Sequence, residues 1–329
     1  MDELAALAME LSDLAGPAGD EEEVRQALLR WVSGIRVRFA VDAAGNLTML
    51  YTPEGVEPRT VLVAALDEVG VIVPTIDRRG FARLAPLGAV GAASLVGSRL
   101  RLTAGGQGVV GCIPGDGLPS FERLFLDLGM HGRAATEAAV PLGSRAVWDC
   151  TATRLPGGQL SGKALGTRAG CAVAVDLLRR LGGSDHSLAV VFCAQTELGY
   201  HTVEAALRWP NTEIVLGVGP ALASDTPKAV GSDIRLGQGP VLVESDRGLV
   251  SSLRGRTELR LAAQRAGVEL QVTAADPGTS PAAAALGAGH GIPAAALGIP
   301  CRYRRTPSEV CAAEDLTAAA RVLEALVRR

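Results

Sequence analysis

The sequence predicts an α/β protein carrying a β-rich insertion, and three observations lead there. Short apolar runs ending in polar or glycine-rich turns read as buried strands; the clearest is 61–66, Val-Leu-Val-Ala-Ala-Leu, which stops at Asp67-Glu68. From Gly162 onward such runs alternate with helical patterns, as in a parallel sheet covered on both faces. Between about 70 and 160 the texture changes to short β-branched runs separated by glycine turns. The expected division is therefore 1–69 with 161–329 for the α/β domain and 70–160 for the insertion.

Taken in order, Leu4, Leu7, Met9, Leu11 and Leu14 lie at near-helical spacing, and Gly16-Pro17 ends that helix. Asp20 and the acids Glu21-Glu22-Glu23 suit the start of a second helix reaching about residue 33. Strand-like runs follow at 36–41, 47–51 and 61–66, with Gly45-Asn46 as the turn between the first two. In the insertion the runs at 71–76, 99–102, 108–112 and 124–128 read as strands. Beyond it, helices are expected at 171–181, 203–207, 257–266, 281–286 and 316–328, and strands at 188–194, 214–218, 268–272 and 294–297.

Composition narrows the function. The 329 residues suffice for two domains, and 48% hydrophobic content supports a large core. A net charge of -3 gives no electrostatic case for nucleic acid or an acidic membrane as partner. Lys163 and Lys228 are the only lysines among 32 basic residues, a bias that a GC-rich genome explains. Met1-Asp2-Glu3-Leu4 lacks the basic start and apolar stretch of a signal peptide, and no run reaches spanning length, so a cytoplasmic location is expected. Six scattered cysteines then read as free thiols.

Seven motifs occur in a fixed order: Gly16-Pro17-Ala18-Gly19; Asp42-Ala43-Ala44-Gly45-Asn46-Leu47; Ala65-Leu66-Asp67-Glu68-Val69-Gly70; Leu126-Asp127-Leu128-Gly129; Gly162-Lys163-Ala164-Leu165-Gly166-Thr167-Arg168-Ala169-Gly170-Cys171; Gln195-Thr196-Glu197-Leu198-Gly199; and Ile299-Pro300-Cys301-Arg302-Tyr303-Arg304-Arg305. Together they resemble the M42 family of dinuclear metallo-aminopeptidases. The resemblance implies a zinc-exopeptidase fold, with a central mixed sheet flanked by helices and an inserted PDZ-like β-barrel used for dimerisation. It also implies homo-oligomers from dimer to dodecamer, with an active paralogue as a further partner.

The same resemblance implies a two-metal hydrolase in which a glutamate deprotonates the attacking water. Carried over by position, the first His ligand falls on Ala65, the bridging Asp on Gly166, the general base on Thr196, a second Asp on Gly217 and the last His on Arg305. Glu197 is the one ligand kept, beside the ligand-orienting Asp67. A methyl group, a hydrogen and a guanidinium bind no metal, and a threonine hydroxyl is no base near neutral pH. The expected cofactor is therefore none, against the alternative of a weakly bound divalent metal such as zinc. Arg305, helped by Arg168, is expected to pair with Glu197 or Asp67 in the metals' place, with Glu68, Arg302 and Tyr303 completing the cleft. Cys171 with His201 is the weaker candidate for a new nucleophile and base, and His131, His186 and His290 read as surface or turn residues. The function expected is a pseudo-aminopeptidase that binds a peptide or small ligand or serves a structural or regulatory role; the alternative is a metal-dependent aminopeptidase with an altered site.

Overall fold

The computed structural model describes residues 2–182, 186–229, 233–289 and 291–328. Its centre is an eight-stranded mixed sheet in the order Arg38–Val41, Leu47–Tyr51, Leu188–Cys193, Thr60–Ala65, Ile214–Leu222, Ala294–Cys301, Val241–Val243, Gln271–Thr273. The four middle strands, from Leu188–Cys193 to Ala294–Cys301, are mutually parallel. Both faces of such strands are buried, which is why their sequences read as unbroken apolar runs. Antiparallel partners flank them: Leu47–Tyr51 against Leu188–Cys193, and Val241–Val243 against Ala294–Cys301.

Side chains alternate between two cores, as the pleat requires. Leu62 and Ala64 face the helices Glu3–Asp13, Glu22–Trp31, Leu165–Leu181, Leu253–Ala266 and Ala313–Val327, whereas Val61 and Val63 face a smaller layer built on His201–Ala206 and the 3-10 helix Pro281–Leu286. The candidate cleft opens on this second, thinner side.

Several elements differ from the sequence expectation. Helix Leu165–Leu181 begins six residues before the expected start, because Gly166 and Gly170 serve close packing and not a turn. A Cβ at Gly170 would come within 2.6 Å of the Val218 carbonyl oxygen, so only glycine lets the helix lie this near the sheet. The strand expected at 268–272 is shifted to Gln271–Thr273, and Val241–Val243, between Gly239-Pro240 and Glu244, is too short to register as a periodic run.

The strands between Gly70 and Trp148 form a separate seven-stranded antiparallel sheet with its own apolar core. An isolated bridge between Ile76 and Ala82 ties its two ends together, nearly closing it into a barrel. This unit also contains a short helix, Arg133–Ala139, that its sequence texture did not suggest. A small third sheet pairs Leu160–Gly162 with Glu309–Cys311 and so brings Glu309 to the start of helix Leu165–Leu181. No helix among the described residues is long and apolar enough to cross a membrane.

Candidate functional site

The carboxyl ends of the parallel strands open into a cleft of about 350 Å³. Ala65, Thr196, Glu197, Gly217 and Arg305 all line it, although they come from four distant stretches of chain. Ala65 is the last residue of its strand, Thr196 and Glu197 sit in the 3-10 turn after Leu188–Cys193, and Gly217 lies within the strand Ile214–Leu222. Arg305 stands in the left-handed region (φ +63°), fixed there by its N–H donating to Glu309 Oε1 at 2.7 Å. Gly166 adjoins the cleft but is covered: a Cβ there would lie 2.7 Å from Pro220 Cβ and 2.9 Å from Cys301 Sγ. At Gly217 the corresponding space is held by Ser280, whose Oγ would be 2.0 Å from such a Cβ.

The charges divide into two groups. In the cleft, Arg305 Nη2 donates to Glu197 Oε2 at 3.4 Å, so of the two expected acids it takes Glu197. Asp67 is satisfied by local donors: Thr196 N and Oγ1 reach its Oδ1 at 2.9 and 2.6 Å, and Glu197 N reaches its Oδ2 at 2.8 Å. Burial outweighs these bonds and pushes the Asp67 carboxyl up to about 7.

Beneath the cleft lies the second group. Glu68 accepts from Lys163 Nζ at 2.8 and 2.9 Å, from Arg168 Nη2 at 3.0 Å and from Gly16 N at 3.1 Å. All three charged side chains are buried. Burial, reinforced by the Arg168 cation, lowers the pKa of Lys163, and Glu68 opposes that shift. Arg168 also donates to the Leu66 carbonyl, and Gly16 is required because a Cβ there would press on Arg168 Nη2 at 2.8 Å. Glu68 and Arg168, expected in the cleft, are thus committed to a cluster under its floor. Arg302 is likewise engaged elsewhere, donating to both oxygens of Asp225 at 2.7 and 2.6 Å, and Tyr303 is half exposed and does not line the cleft.

Residues that sequence reasoning missed complete the cleft: Tyr200, Asp246, Asp276, Thr279 and Arg304. They come from loops whose spatial neighbours no periodicity reveals. Ser280, placed just before Pro281, caps the 3-10 helix by accepting from Ala282 N at 3.2 Å. Each of the two acids is held by three donors. Asp246 accepts from Gly248 N, Leu249 N and Ser280 N at 2.7, 2.7 and 2.8 Å. Asp276 accepts from Gly278 N at 2.7 Å, Leu222 N at 2.8 Å and Arg304 Nη1 at 3.2 Å.

The donor set does not fit a dinuclear metal centre. Of the five carried-over ligand positions only Glu197 holds a donor, and Arg305 is paired with it. No group of three or more His, Cys, Asp or Glu among the described residues is placed to hold a metal ion. Nor does Cys171 supply a nucleophile: it is buried, its Sγ donates to the Ala65 carbonyl at 3.0 Å, and burial pushes the thiol up to about 12. His201 lies exposed at a helix start, His131 is exposed, and His290 lies outside the described residues.

Buried acids give stability a definite pH dependence. Asp67 and Asp315 are both pushed up to about 7 by burial, against about 4 in an unfolded chain. Between those values the folded state holds protons that the unfolded state releases, so stability falls as pH rises from about 4 to about 7. The raised Asp67 value corresponds to at most ~4 kcal/mol across that window. The melting temperature is expected to be higher at pH 5 than at pH 8; a flat or rising profile in calorimetry would contradict this.

The comparisons agree with the fold. Residues 45–322 match the family model of the M42 glutamyl aminopeptidases. A putative aminopeptidase of Acetivibrio thermocellus is 29% identical over 325 residues, covering 96% of each chain. Aminopeptidase APDkam598 of the archaeon Desulfurococcus kamchatkensis superposes with a TM-score of 0.91 at 25% identity, over 99% of this chain and 94% of that one. The Pyrococcus horikoshii TET1 peptidase, which can assemble into a tetrahedron or a large octahedral shell, has the same fold at 22% identity (TM-score 0.88, covering 98% and 99%). With the family model spanning most of its length, this chain belongs to the M42 glutamyl aminopeptidase family.

Proposed function

We propose that this chain is a non-hydrolytic member of its family, keeping the fold and a ligand-sized cleft while lacking the two-metal reaction. One observation carries the reading: Arg305 stands where a metal ligand is expected and pairs with Glu197, the one donor left. A fixed cation there repels a dication and consumes its remaining anchor. Thr196, at the general-base position, donates a hydrogen bond from its hydroxyl to Asp67 and so holds a neighbouring loop.

The names of the relatives favour the other reading, a metal-dependent aminopeptidase with an altered site. The two separate cleanly. Purified protein is expected to hold well under one equivalent of transition metal and to release no product from aminoacyl anilides with zinc, cobalt or manganese added. Stoichiometric metal with metal-dependent turnover would establish the alternative. Self-association through the inserted unit, residues 70–160, into a dimer or larger shell belongs to the same proposal, by likeness to the TET1 peptidase. So does a cytoplasmic setting, which suits six free cysteines, four of them buried.

A further inference from the structure

Within the cleft, hydrogen-bonding capacity is unevenly spent. Asp246 and Asp276 each accept three hydrogen bonds, from backbone N–H groups and Arg304, and Thr196 is turned toward Asp67. Arg305 is the exception. Its backbone is held by buried Glu309, whose other oxygen holds Gly166 N at 2.8 Å, so the side chain leaves from a fixed point. Among the described residues its guanidinium makes one contact, the 3.4 Å bond to Glu197, and a third of the side chain remains exposed in the cleft. Four of its five N–H donors therefore await a partner. The rest of the lining is mixed: Ala65, Gly217, Val243 and Ala296 are small or apolar, whereas Tyr200 and Thr279 are polar.

We infer that the cleft binds a free, non-acidic α-amino acid of about leucine size, its carboxylate on Arg305 and its ammonium on Glu197. The argument is one of charge balance. A lone carboxylate that takes Arg305 strands Glu197 beside a second negative charge. A lone amine that takes Glu197 strands Arg305. A zwitterion bearing both charges on adjacent carbons replaces the long internal bond with two charge-assisted pairs and leaves the net charge unchanged. The carboxylates of Asp246 and Asp276 in the lining repel an acidic side chain. The cavity, at about 350 Å³, is at the small end of ligand pockets and suits a leucine-sized molecule.

This deepens the non-hydrolytic reading and rests on it only in needing a metal-free cleft. Its test is therefore run on protein stripped with a chelator and dialysed. Calorimetric titration compares L-leucine with isocaproate, which lacks the ammonium, and with L-leucinamide, which lacks the carboxylate. L-leucine is expected to bind about ten- to a hundred-fold more tightly than either, the usual loss for one charge-assisted hydrogen-bond pair. Arg305→Gln should abolish the preference over leucinamide, Arg305→Lys should restore part of it, and Glu197→Gln should bring isocaproate level with leucine. Unchanged thermal unfolding of the variants shows that each is folded. Equal binding of all three compounds, or no binding of leucine at millimolar concentration, overturns the inference. Turnover with added metal would instead overturn the non-hydrolytic reading, whatever the stripped protein binds.

Discussion

Replacing Glu68 by alanine is expected to cost about 3–5 kcal/mol, the range for breaking a buried ion pair from one side. Glu68 is the only anion of its cluster, holding Lys163 and Arg168 at 2.8–3.0 Å with both cations buried. Its removal leaves two like charges facing each other, with the Leu14 and Leu66 carbonyls as their remaining acceptors. Lys163→Met is the informative contrast. It keeps the neutral Glu68–Arg168 pair and substitutes an apolar side chain of similar length, so the loss should be clearly smaller, about 1–3 kcal/mol. Equilibrium urea unfolding followed by circular dichroism measures both. A Glu68→Ala midpoint equal to that of the parent would mean the cluster is hydrated and contributes little. Against a typical stability of about 5–15 kcal/mol, the expected loss is large. The cluster also holds the end of strand Thr60–Ala65 against the Gly16-Pro17 loop, through Glu68 N donating to Gly16 O at 2.9 Å and Gly16 N donating to Glu68 Oε1 at 3.1 Å. It shapes the cleft without touching a ligand.

That division between cluster and cleft shows what the sequence could and could not convey. Strands buried on both faces announce themselves by unbroken apolar runs, so Thr60–Ala65 and Ile214–Leu222, and with them positions 65 and 217, were legible. The Arg305–Glu197 pair followed from charge conservation: a lone acid at a vacated metal site calls for a cation. Arg168 was misplaced because glycines in 166–170 read as a loop, whereas the helix starts at Leu165 and aims this side chain beneath the floor, toward Glu68. Asp67 needed no cation because Thr196 and Glu197 N, neighbours only after folding, supply three hydrogen bonds. The loop residues Asp246, Asp276 and Arg304 carry no periodic signal, and nothing short of a tertiary structure brings them to one wall.

Reinstating the four lost ligands and the general base together, as Ala65→His, Gly166→Asp, Thr196→Glu, Gly217→Asp and Arg305→His, is expected to yield a less stable protein that holds less than one equivalent of zinc. The obstacle is packing. An aspartate Cβ at 166 meets Pro220 Cβ at 2.7 Å and Cys301 Sγ at 2.9 Å, and its carboxylate would enter beside buried Glu309, which already binds Gly166 N. At 217 the new side chain runs into Ser280 Oγ at 2.0 Å and Ala282 Cβ at 3.0 Å. Overpacking costs about 1–3 kcal/mol per site, and the added carboxylate at 166 raises that by like-charge repulsion. Such neighbours couple, so the remedy is joint substitution. Adding Ser280→Gly and Cys301→Ala to the five changes clears the hydroxyl at 217 and the thiol at 166, leaving only Pro220 to shift there, and metal content by mass spectrometry should then rise with the recovery in melting temperature. Two zinc ions per chain in the five-fold variant, with no loss of melting temperature, would show that Pro220, Cys301 and Ser280 yield freely. The expected outcome instead places the loss of the metal site in the packing as much as in the ligands: Pro220, Cys301 and Ser280 occupy the volume that two carboxylates need, and their side chains must give way before either carboxylate can return.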